Sequence, residues 1–437
     1  MLWRLLALLC LAGCAPATRC PALPASPERA PVHGLTNIQR TMRLLAESTA
    51  AQPNRVRILF YGQSITQSAW SRKVASDLHA KYPAAQLETQ NRALGGFSSE
   101  RLLETADSDL YPWQPDLVVF HVYGAHDKYQ QLIERIRART SAEVLLQTDH
   151  ITRDEELDEP RCGNPPDAAH WSGFMNHSFL PSLVASQQVA LCDLRAAWKA
   201  HLRAEHVHAS TLLADAIHLN AEGDRKMAAL VESCLVRVPS LTSPAERWVE
   251  SLAPAARVAF HGTRLDVTVA AGSGFTRVRI DGAPPSSLGL ATLARAHVVG
   301  ADKWPPVHGI ASQYPLTPEL FTFTMRRDGP RYRFTLRGSV TGELGEGATD
   351  EAFARTLVIE PTDWDIDYAF ELMGQPPPAA FRIELRAEPH AIDQFAAGMQ
   401  RRTLTLAQGL APGEHVVELE GDAPLSALTA YRAARDR

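Results

Sequence analysis

The amino-acid sequence predicts an α/β domain built on a parallel sheet, followed by an all-β domain. Between about residues 55 and 237, apolar runs alternate with amphipathic stretches. One of these runs, "PDLVVFHVYG", has almost no polar residues in its middle, as expected of a strand covered on both faces. After about residue 240, short β-branched stretches separated by Gly, Pro and Asp favour an all-β sandwich or barrel.

Strands and helices alternate regularly through the first half. In chain order they are predicted in "RVRILFYG" (strand), "SAWSRKVASDLHAKYP" (helix), "LETQNRALGG" (strand), "SSERLLETA" (helix), "PDLVVFHVYG" (strand), "KYQQLIERIRART" (helix), "AEVLLQTDH" (strand) and "VALCDLRAAWKAHLRA" (strand, then helix). This alternation favours a parallel sheet with helices on both sides. Ligands bind at the carboxyl ends of the strands in such sheets, and Ser64 lies just past one such end.

The predicted strands of the second half are short and rich in β-branched residues. They lie in "RVAFHG", "RLDVTVA", "TRVRIDG", "LFTFTMRRDG", "RYRFTLRG", "RTLVIEP", "FRIELRA", "RTLTLAQ" and "HVVELEG", with no helical pattern between them. "SPAERWVESL", which precedes them, is predicted as a short connecting helix. The predicted domains are therefore 35–238 for the α/β domain, 239–253 for the connecting helix and 254–437 for the β-sandwich.

The first residues, "MLWRLLALLCLAGCAPA", resemble the lipobox signal of bacterial lipoproteins, in which cleavage occurs before the Cys that carries the lipid. The resemblance implies a signal peptide over residues 1–13, a lipid anchor on Cys14 and a Pro/Ala-rich tether over residues 14–34. The expected location is the bacterial cell envelope, at the outer membrane or in the periplasm. The alternative is a secretory signal cut near residues 15–17, with a secreted product.

Composition argues against some classes of partner. The chain has 437 residues and a net charge of −5, without a cluster of Lys and Arg, so nucleic acid is not an expected partner. Beyond the leader lie Cys20, Cys162, Cys192 and Cys234, and the sequence cannot choose among their three pairings. Their spacing does not fit a zinc site, and no cofactor is expected. The sequence leaves the oligomeric state open.

Ser64 is a candidate nucleophile because it follows a buried strand. A Ser hydroxyl needs a base that takes its proton and a group that orients this base. The stretch "LLADAIHLNAEG" supplies Asp215 and His218, three residues apart. At this spacing the carboxylate can contact one imidazole nitrogen while the other faces outward. The alternatives are a turn or helix cap at Ser64 and an incidental His at a helix entry.

Two further stretches are candidates to stabilise an oxyanion. Gly95 and Gly96, in "NRALGGFSSERLL", stand between a strand and a helix, where a backbone N–H can approach a ligand closely. The alternative is a simple tight turn. His126 and Asp127 follow the most apolar strand, and a polar side chain there would project into the same crevice.

These four stretches, in this order, resemble the motif blocks of the SGNH (GDSL-type) hydrolase superfamily. The matching blocks are "YGQSIT", "NRALGGFSS", "YGAHD" and "DAIHLNAEG", within about residues 55–235. The resemblance implies the flavodoxin-like sheet of the SGNH fold and a catalytic triad. In that triad, Ser64 is the nucleophile, His218 is the general base, and Asp215 orients His218.

The same resemblance implies that the N–H groups of Ser64 and Gly96 hold the oxyanion. Two positions depart from the family's pattern: Gln63 stands where the family has Asp, and His126 where it has the Asn that completes the oxyanion hole. A neutral His can donate one N–H, so His126 is predicted to serve as an oxyanion donor with an altered pH dependence. Alternatively, this departure marks a changed substrate or an inactive relative.

Residues near the predicted strand ends complete the candidate site. Gln63, Asp127 and His150 are predicted to bind substrate, although His150 could instead only cap its strand. The segment His170–Ser178 is either a substrate-facing loop or an ordinary surface loop.

SGNH domains joined to β-sandwiches resemble carbohydrate esterases, and "LTLAQGLAPGEHVVELEG" is similar to late strands of their jelly-roll modules. The predicted function is therefore a serine esterase that hydrolyses O-acyl esters, O-acetyl above all, on a glycan. The alternatives are a small-ester lipase or thioesterase, a non-catalytic glycan-binding lipoprotein and a structural envelope protein. Trp304, Trp364 and Tyr368 either stack on sugar rings or belong to the core or an interdomain contact.

Overall fold

The structure is a computed structural model that describes residues 25–158, 171–301 and 304–434. The predicted signal peptide lies outside the described residues, as do Cys14, Cys20, Cys162 and His170. Within these three ranges, no helix combines the length and apolarity that a membrane crossing requires.

The first half alternates strands with helices, as predicted. Its strands are β1 (Val32–His33), β2 (Arg55–Gly62), β3 (Gln86–Asn91), β4 (Leu117–His121), β5 (Glu143–Gln147) and β6 (Ala190–Cys192). Its helices are α1 (Gln39–Ala46), α2 (Ser64–Gln67), α3 (Ala69–Lys81), α4 (Ser99–Asp109), α5 (His126–Arg139), α6 (Trp171–Phe174), α7 (Leu180–Gln187), α8 (Leu194–Glu205) and α9 (Ala221–Cys234). One turn of π-helix, Met175–Phe179, joins α6 to α7.

The six strands form one sheet in the order β1-β6-β5-β4-β2-β3. Strands β2 to β6 run parallel, and the edge strand β1 pairs antiparallel with β6. The five parallel strands therefore have the flavodoxin-like order 2-1-3-4-5, which confirms the predicted α/β fold. In this order the chain reverses its direction of travel across the sheet between β2 and β4. A ligand crevice is expected at the carboxyl ends of these two strands.

Two hydrophobic clusters cover the two faces of the sheet, and β4 contributes to both. Leu117 and Val119 belong to one cluster, Val118 and Phe120 to the other, and all four are fully buried. Since both faces carry helices, no position in the middle of this strand suits a polar side chain. This explains the continuous apolar run in its sequence.

The second half is mainly antiparallel β-structure, as predicted. Its strands are β7 (Val249–Leu252), β8 (Arg257–His261), β9 (Arg264–Val269), β10 (Phe275–Ile280), β11 (Ala291–Leu293), β12 (His297–Val298), β13 (Ala311–Ser312), β14 (Leu320–Asp328), β15 (Arg331–Gly338), β16 (Gly342–Ala348), β17 (Phe353–Ala354), β18 (Leu357–Ile359), β19 (Ala380–Pro389), β20 (Gln394–Ala396), β21 (Arg402–Gln408), β22 (Glu414–Gly421) and β23 (Leu425–Tyr431). One α-helix, α10 (Ile366–Leu372), precedes β19.

Two hydrophobic cores lie within this half. The sheets β21-β9-β23-β7 and β20-β10-β22-β8 form a sandwich, and Val267 and Val417 are buried in its core. The second core includes Phe321 and Phe323 of the sheet β11-β19-β14-β15-β16, and Trp364 packs against it. Residues 291–389 are therefore a second β-unit inserted between β10 and β20.

The structure corrects three predictions about boundaries and elements. The end of the predicted tether 14–34 belongs to the fold, because β1 pairs with β6 and Ala30 is buried. The predicted connecting helix 239–253 contains a 3-10 turn, Pro244–Trp248, and then β7, which pairs with β23 of the sandwich. Helix α10 was not predicted, because seven residues make only two turns and give little periodic signal.

A disulfide joins Cys192, at the end of β6, to Cys234, at the end of α9. Both residues are fully buried. The bond selects one pairing that the sequence left open. The segment that it closes contains both Asp215 and His218.

Candidate active site

Ser64 lies where β2 leaves the sheet. The strand ends at Gly62, and the chain turns through Gln63 into the short helix α2. Gly62 has a φ of +156°, and a Cβ there would stand 2.1 Å from the carbonyl oxygen of His121 on β4. Because glycine has no Cβ, the chain can approach β4 this closely and place Ser64 at the predicted crevice.

Ser64, His218 and Asp215 form one hydrogen-bonded chain. His218 Nε2 is 3.0 Å from Ser64 Oγ, and His218 Nδ1 is 2.7 Å from Asp215 Oδ2. The other carboxylate oxygen of Asp215 accepts hydrogen bonds from the backbone N–H groups of Ile217 and His218, both at 2.8 Å. The structure thus brings together the residues predicted as nucleophile, base and orienting carboxylate.

The hydrogen bonds that Asp215 accepts keep it ionised. The backbone N–H groups of His218 and Ile217, and then the His218 ring, lower the pKa of Asp215 to about 2. An ionised carboxylate only accepts hydrogen bonds, so neutral His218 carries its proton on Nδ1 and offers Nε2 to the Ser64 hydroxyl. The side chains of Asp215 and His218 are 57% and 48% exposed, so a substrate can reach the triad.

Helix α9, which follows His218, is tied to the segment that follows Ser64. Asp224 Oδ1, in the first turn of α9, accepts a hydrogen bond from Ser68 Oγ at 2.6 Å and one from Trp70 N at 3.2 Å. These contacts hold the loop that carries His218 in place relative to Ser64, although the two are far apart in sequence.

Gly95 and Gly96 form the tip of a tight turn beside Ser64. The hydrogen bond from the Phe97 N–H to the Leu94 carbonyl closes the turn at 3.1 Å. Gly96 has a φ of +86°, and a positive φ at the third residue of a four-residue turn is typical of type II. A Cβ on Gly95 would lie 3.6 Å from Ser64 Cβ, so the turn lies against the nucleophile.

Side chains of the second half reach this turn. Trp304 Nε1 donates to the Gly95 carbonyl oxygen at 2.8 Å, and the Tyr368 hydroxyl donates to the Gly96 carbonyl oxygen at 2.7 Å. Leu372 fills the space beside Gly96, where a Cβ would meet its Cδ2 at 2.6 Å. Of the roles that the sequence left open for Trp304 and Tyr368, the structure shows the contact between the two halves.

A charged cluster continues this contact. The Arg101 guanidinium lies 3.9 Å from the centre of the Tyr368 ring and forms an ion pair with Asp365 at 2.7 Å. His308 forms ion pairs with Glu104 at 2.7 Å and with Asp365 at 3.1 Å. Burial disfavours the charged ring, but the two carboxylates outweigh burial and raise the pKa of His308 to about 9. The ring is therefore positively charged at neutral pH.

His126, at the start of α5, lies among aromatic side chains. Its ring centre is 5.4 Å from that of Trp171, 5.0 Å from that of Phe174 and 4.8 Å from that of Phe179. Its Nε2 is buried and has no hydrogen-bond partner among the described residues. Burial lowers the pKa of His126, so the ring is neutral at neutral pH. Its role as an oxyanion donor stays a prediction, and its observed neighbours form an aromatic wall.

His150 lies beneath the loop that carries His218. It is 1% exposed, and its Nε2 is 2.9 Å from the carbonyl oxygen of Ile217, next to His218. Burial lowers the pKa of His150 to about 4, so the neutral ring donates this hydrogen bond. The observed contact supports the loop from inside the protein, which corrects the prediction that His150 binds substrate: a position at a strand end does not reveal burial.

Within the described ranges, no hydrogen bond joins Gln63 or Asp127 to a side chain of the triad. Gln63 is buried, and its Nε2 has no partner within the described part of the chain. Asp127 is exposed on α5, 3.6 Å from Lys128 Nζ. Their roles in substrate binding stay predictions. In the same ranges, no group of three or more His, Cys, Asp or Glu side chains is placed to hold a metal ion.

A buried His–Asp pair lies beside the ends of β4 and β5. His121 Nε2, at the end of β4, is 2.6 Å from Asp149 Oδ1, just after β5, and both side chains are buried. Asn176 Nδ2 donates to the other carboxylate oxygen of Asp149 at 2.8 Å. Burial alone would raise the pKa of Asp149, but its hydrogen bond to His121 holds it below its ordinary value. Sequence analysis missed this pair because His121 belongs to a continuous apolar run.

The fold and the three side chains define a class of site. A hydroxyl, an imidazole and a carboxylate form one hydrogen-bonded chain at the carboxyl end of a flavodoxin-like sheet. In this arrangement the imidazole can take the hydroxyl proton and the carboxylate can stabilise the resulting charge, which is the chemistry that a nucleophilic Ser requires.

Solved structures with some similarity to the chain include three hydrolases. A two-domain esterase active on acetylated mannans has 11% identity and a TM-score of 0.37, over 93% of this chain and 97% of that one. An acetylxylan esterase from Geobacillus stearothermophilus has 16% identity and a TM-score of 0.35, over 42% and 98%. An α/β hydrolase from the metagenome of Lake Arreo, Spain, has 18% identity and a TM-score of 0.34, over 43% and 100%. No protein-family model and no curated protein matches the sequence.

Proposed function

We propose that this protein is a serine esterase that removes O-acyl groups, O-acetyl above all, from a glycan. One observation carries the proposal: Ser64, His218 and Asp215 form a hydrogen-bonded chain that is open to solvent. This chain lies beside a glycine turn whose backbone N–H groups are candidates to hold an oxyanion.

The triad performs the two steps of ester hydrolysis in turn. Ser64 Oγ attacks the ester carbonyl carbon while His218 Nε2 takes the hydroxyl proton, and ionised Asp215 stabilises the resulting imidazolium. His218 then gives this proton to the leaving oxygen, which frees the glycan hydroxyl and leaves an acyl group on Ser64. A water molecule that loses a proton to His218 attacks the acyl carbonyl carbon, and His218 returns this proton to Ser64 Oγ as the acid leaves.

Backbone N–H groups stabilise the negative oxygen that forms in both steps. The proposed donors are the N–H groups of Ser64 and Gly96. They need not move during the reaction, because the fold already holds them in place. The ring of His126 is the third proposed donor, and Trp171, Phe174 and Phe179 surround it in the structure. The two backbone donors and His126 make up the proposed oxyanion hole.

Hydrolysis of p-nitrophenyl acetate by the full chain, beside Ser64→Ala and His218→Ala, tests the triad. We expect kcat/KM to fall by at least about 1000-fold in each variant, because Ser64→Ala removes the nucleophile and His218→Ala removes the base that takes its proton. Circular dichroism and melting temperature serve as controls for folding. Equal rates in all three proteins would contradict the proposal.

Acetate release from polysaccharides tests the glycan substrate. Acetylated xylan, acetylated mannan, acetylated pectin and O-acetylated peptidoglycan are suitable, and the first two are the substrates named for two of the similar structures. We expect Ser64-dependent release from at least one of them. If p-nitrophenyl acetate is hydrolysed but no polysaccharide releases acetate, the small-ester alternative replaces the glycan proposal.

We also propose that Cys14 carries a lipid and anchors the protein in the bacterial envelope. Labelling cells with radioactive palmitate tests this, with Cys14→Ser as the matched control. Label is expected on the parent and absent from the variant. Label on neither protein would favour the secreted alternative.

A further inference from the structure

We propose that Trp304 and Tyr368 are positioning residues that hold the Gly95–Gly96 turn in its oxyanion-binding form. This inference rests on the proposed esterase function. The two side chains lie 209 and 272 residues away along the chain from the carbonyl oxygens that they bind. The second half is then part of the catalytic unit and not a separate module.

The hydrogen bond from Trp304 fixes the direction of one peptide group. In a trans peptide the C=O and N–H groups point in opposite directions within one plane, so the Gly95 carbonyl and the Gly96 N–H lie on opposite sides of the bond that joins them. Trp304 Nε1 holds that carbonyl at 2.8 Å. A flip of this peptide would break the bond and turn the Gly96 N–H away from its present direction.

The turn needs outside contacts to hold one conformation, because its own sequence does not favour one turn type. A four-residue turn changes between types I and II when its central peptide flips, while the flanking residues move little. Glycine at both central positions, Gly95 and Gly96, removes the preference that a side chain would impose. The indole of Trp304 and the contact of Leu372 with Gly96 therefore favour the observed form.

Tyr368 fixes the next peptide of the turn. Its hydroxyl donates to the Gly96 carbonyl at 2.7 Å, and the N–H of the same peptide, on Phe97, closes the turn. Arg101 lies over the Tyr368 ring and is itself held by Asp365. The two central carbonyl oxygens of the turn are thus both bound from the second half.

Trp304→Phe and Tyr368→Phe each remove one donor and keep an aromatic ring. With p-nitrophenyl acetate we expect kcat to fall about 10-fold in each, a part of the 100- to 1000-fold that a lost oxyanion donor costs. KM should stay within about 2-fold, because the interaction acts in the transition state. Trp364→Phe is the matched control, since its Nε1 has no partner among the described residues and its ring packs in the second core.

A second substrate shows whether the oxyanion hole is the part affected. In p-nitrophenyl thionoacetate the carbonyl oxygen is replaced by sulfur, a weak hydrogen-bond acceptor that gains little from backbone N–H groups. The ratio of kcat for the oxygen ester to kcat for the sulfur ester should therefore fall in Trp304→Phe and Tyr368→Phe. Equal losses on both esters, with a lowered melting temperature, would overturn the inference in favour of general loosening.

The outcomes separate this inference from the proposed function. If hydrolysis depends on Ser64 but both donor variants behave like Trp364→Phe, the positioning role is wrong and the esterase stands. If the parent shows no Ser64-dependent hydrolysis, the esterase proposal fails and the positioning role fails with it.

Discussion

The pairs His218–Asp215 and His121–Asp149 both lie near the carboxyl ends of the parallel strands, and in the described part of the chain the first reaches the hydroxyl of Ser64, the proposed nucleophile, and the second does not. His218 Nδ1 is 2.7 Å from Asp215, and His121 Nε2 is 2.6 Å from Asp149. The first pair is about half exposed, whereas the side chains of the second are 4% and 5% exposed. The contact distances are nearly the same, so they do not distinguish a catalytic pair from a structural one.

The two pairs differ in what the second nitrogen of the His ring contacts. For His218 this nitrogen lies 3.0 Å from the Ser64 hydroxyl, whereas Nδ1 of His121 is buried without a partner in the described part of the chain. Asn176 occupies the free oxygen of Asp149, and the buried pair joins the ends of β4 and β5. A His–Asp contact therefore indicates a base only when its outer nitrogen reaches a group that must lose a proton.

The largest expected effect is that of Asp215→Asn. Without the carboxylate, His218 loses the acceptor that fixes its tautomer, so kcat/KM for p-nitrophenyl acetate should fall about 10,000-fold. The melting temperature should change little, since Asp215 is exposed. A loss below about 10-fold would mean that the exposed pair is not the catalytic one.

The matched change in the buried pair, Asp149→Asn, should act on stability instead. Removing one partner of a buried charged or hydrogen-bonded pair costs about 3 kcal/mol, here because His121 loses its carboxylate in an apolar interior. Urea unfolding measures this cost, and kcat per folded molecule should stay within about 3-fold of the parent. A large loss of kcat at unchanged stability would place the buried pair in the catalytic machinery.

His150→Phe tests the support beneath the exposed pair. The variant removes the donor to the Ile217 carbonyl, which should cost about 1 kcal/mol of stability. Misplacement of the adjacent His218 should lower kcat about 10-fold. His79→Phe, on the exposed face of α3, is a control for loss of a His. Unchanged kcat in His150→Phe would show that the loop holds its shape without this hydrogen bond.

His308 is a third kind of His, one that contacts two carboxylates. Its replacement is expected to have the smallest effect. Its pKa rises from 6.5 to about 9 on folding, so its contribution to stability is complete below about pH 6.5 and disappears as the pH rises through 9. Between pH 6.5 and 9.5 the melting temperature should fall more steeply in the parent than in His308→Gln. Parallel curves would show that the charge of His308 does not stabilise the contact between the halves.

The sequence was sufficient for features that depend on local patterns. The apolar run of β4 predicted a strand buried on both faces, and the short spacing of Asp215 and His218 predicted their contact. The position of Ser64 past a strand end followed from the alternation of strands and helices. These features depend on residues within about ten positions of one another, where strand and helix periods are visible.

Features that depend on distant contacts could not be predicted from the sequence. Nothing in the sequence indicates that Trp304 and Tyr368 bind the glycine turn, because 209 and 272 residues separate the partners. The burial of His150 likewise depends on how the base-bearing loop folds over it. The two cores of the β-rich half arise because strands pair across an inserted unit. Such long-range pairing produces no periodic pattern in the sequence.

The disulfide between Cys192 and Cys234 makes the proposed catalytic base part of a covalent ring, because Asp215 and His218 lie within the 42-residue separation that it closes. In the unfolded chain such a ring removes conformational freedom equivalent to about 4 kcal/mol. The strand and turn that carry Ser64 and Gly96 lie outside this ring. Preparation in a reducing cytosol would leave this bond unformed and would therefore lower the free energy of unfolding by about 4 kcal/mol. The number of free thiols per titrated active site would show which fraction of the molecules in a preparation has formed this disulfide.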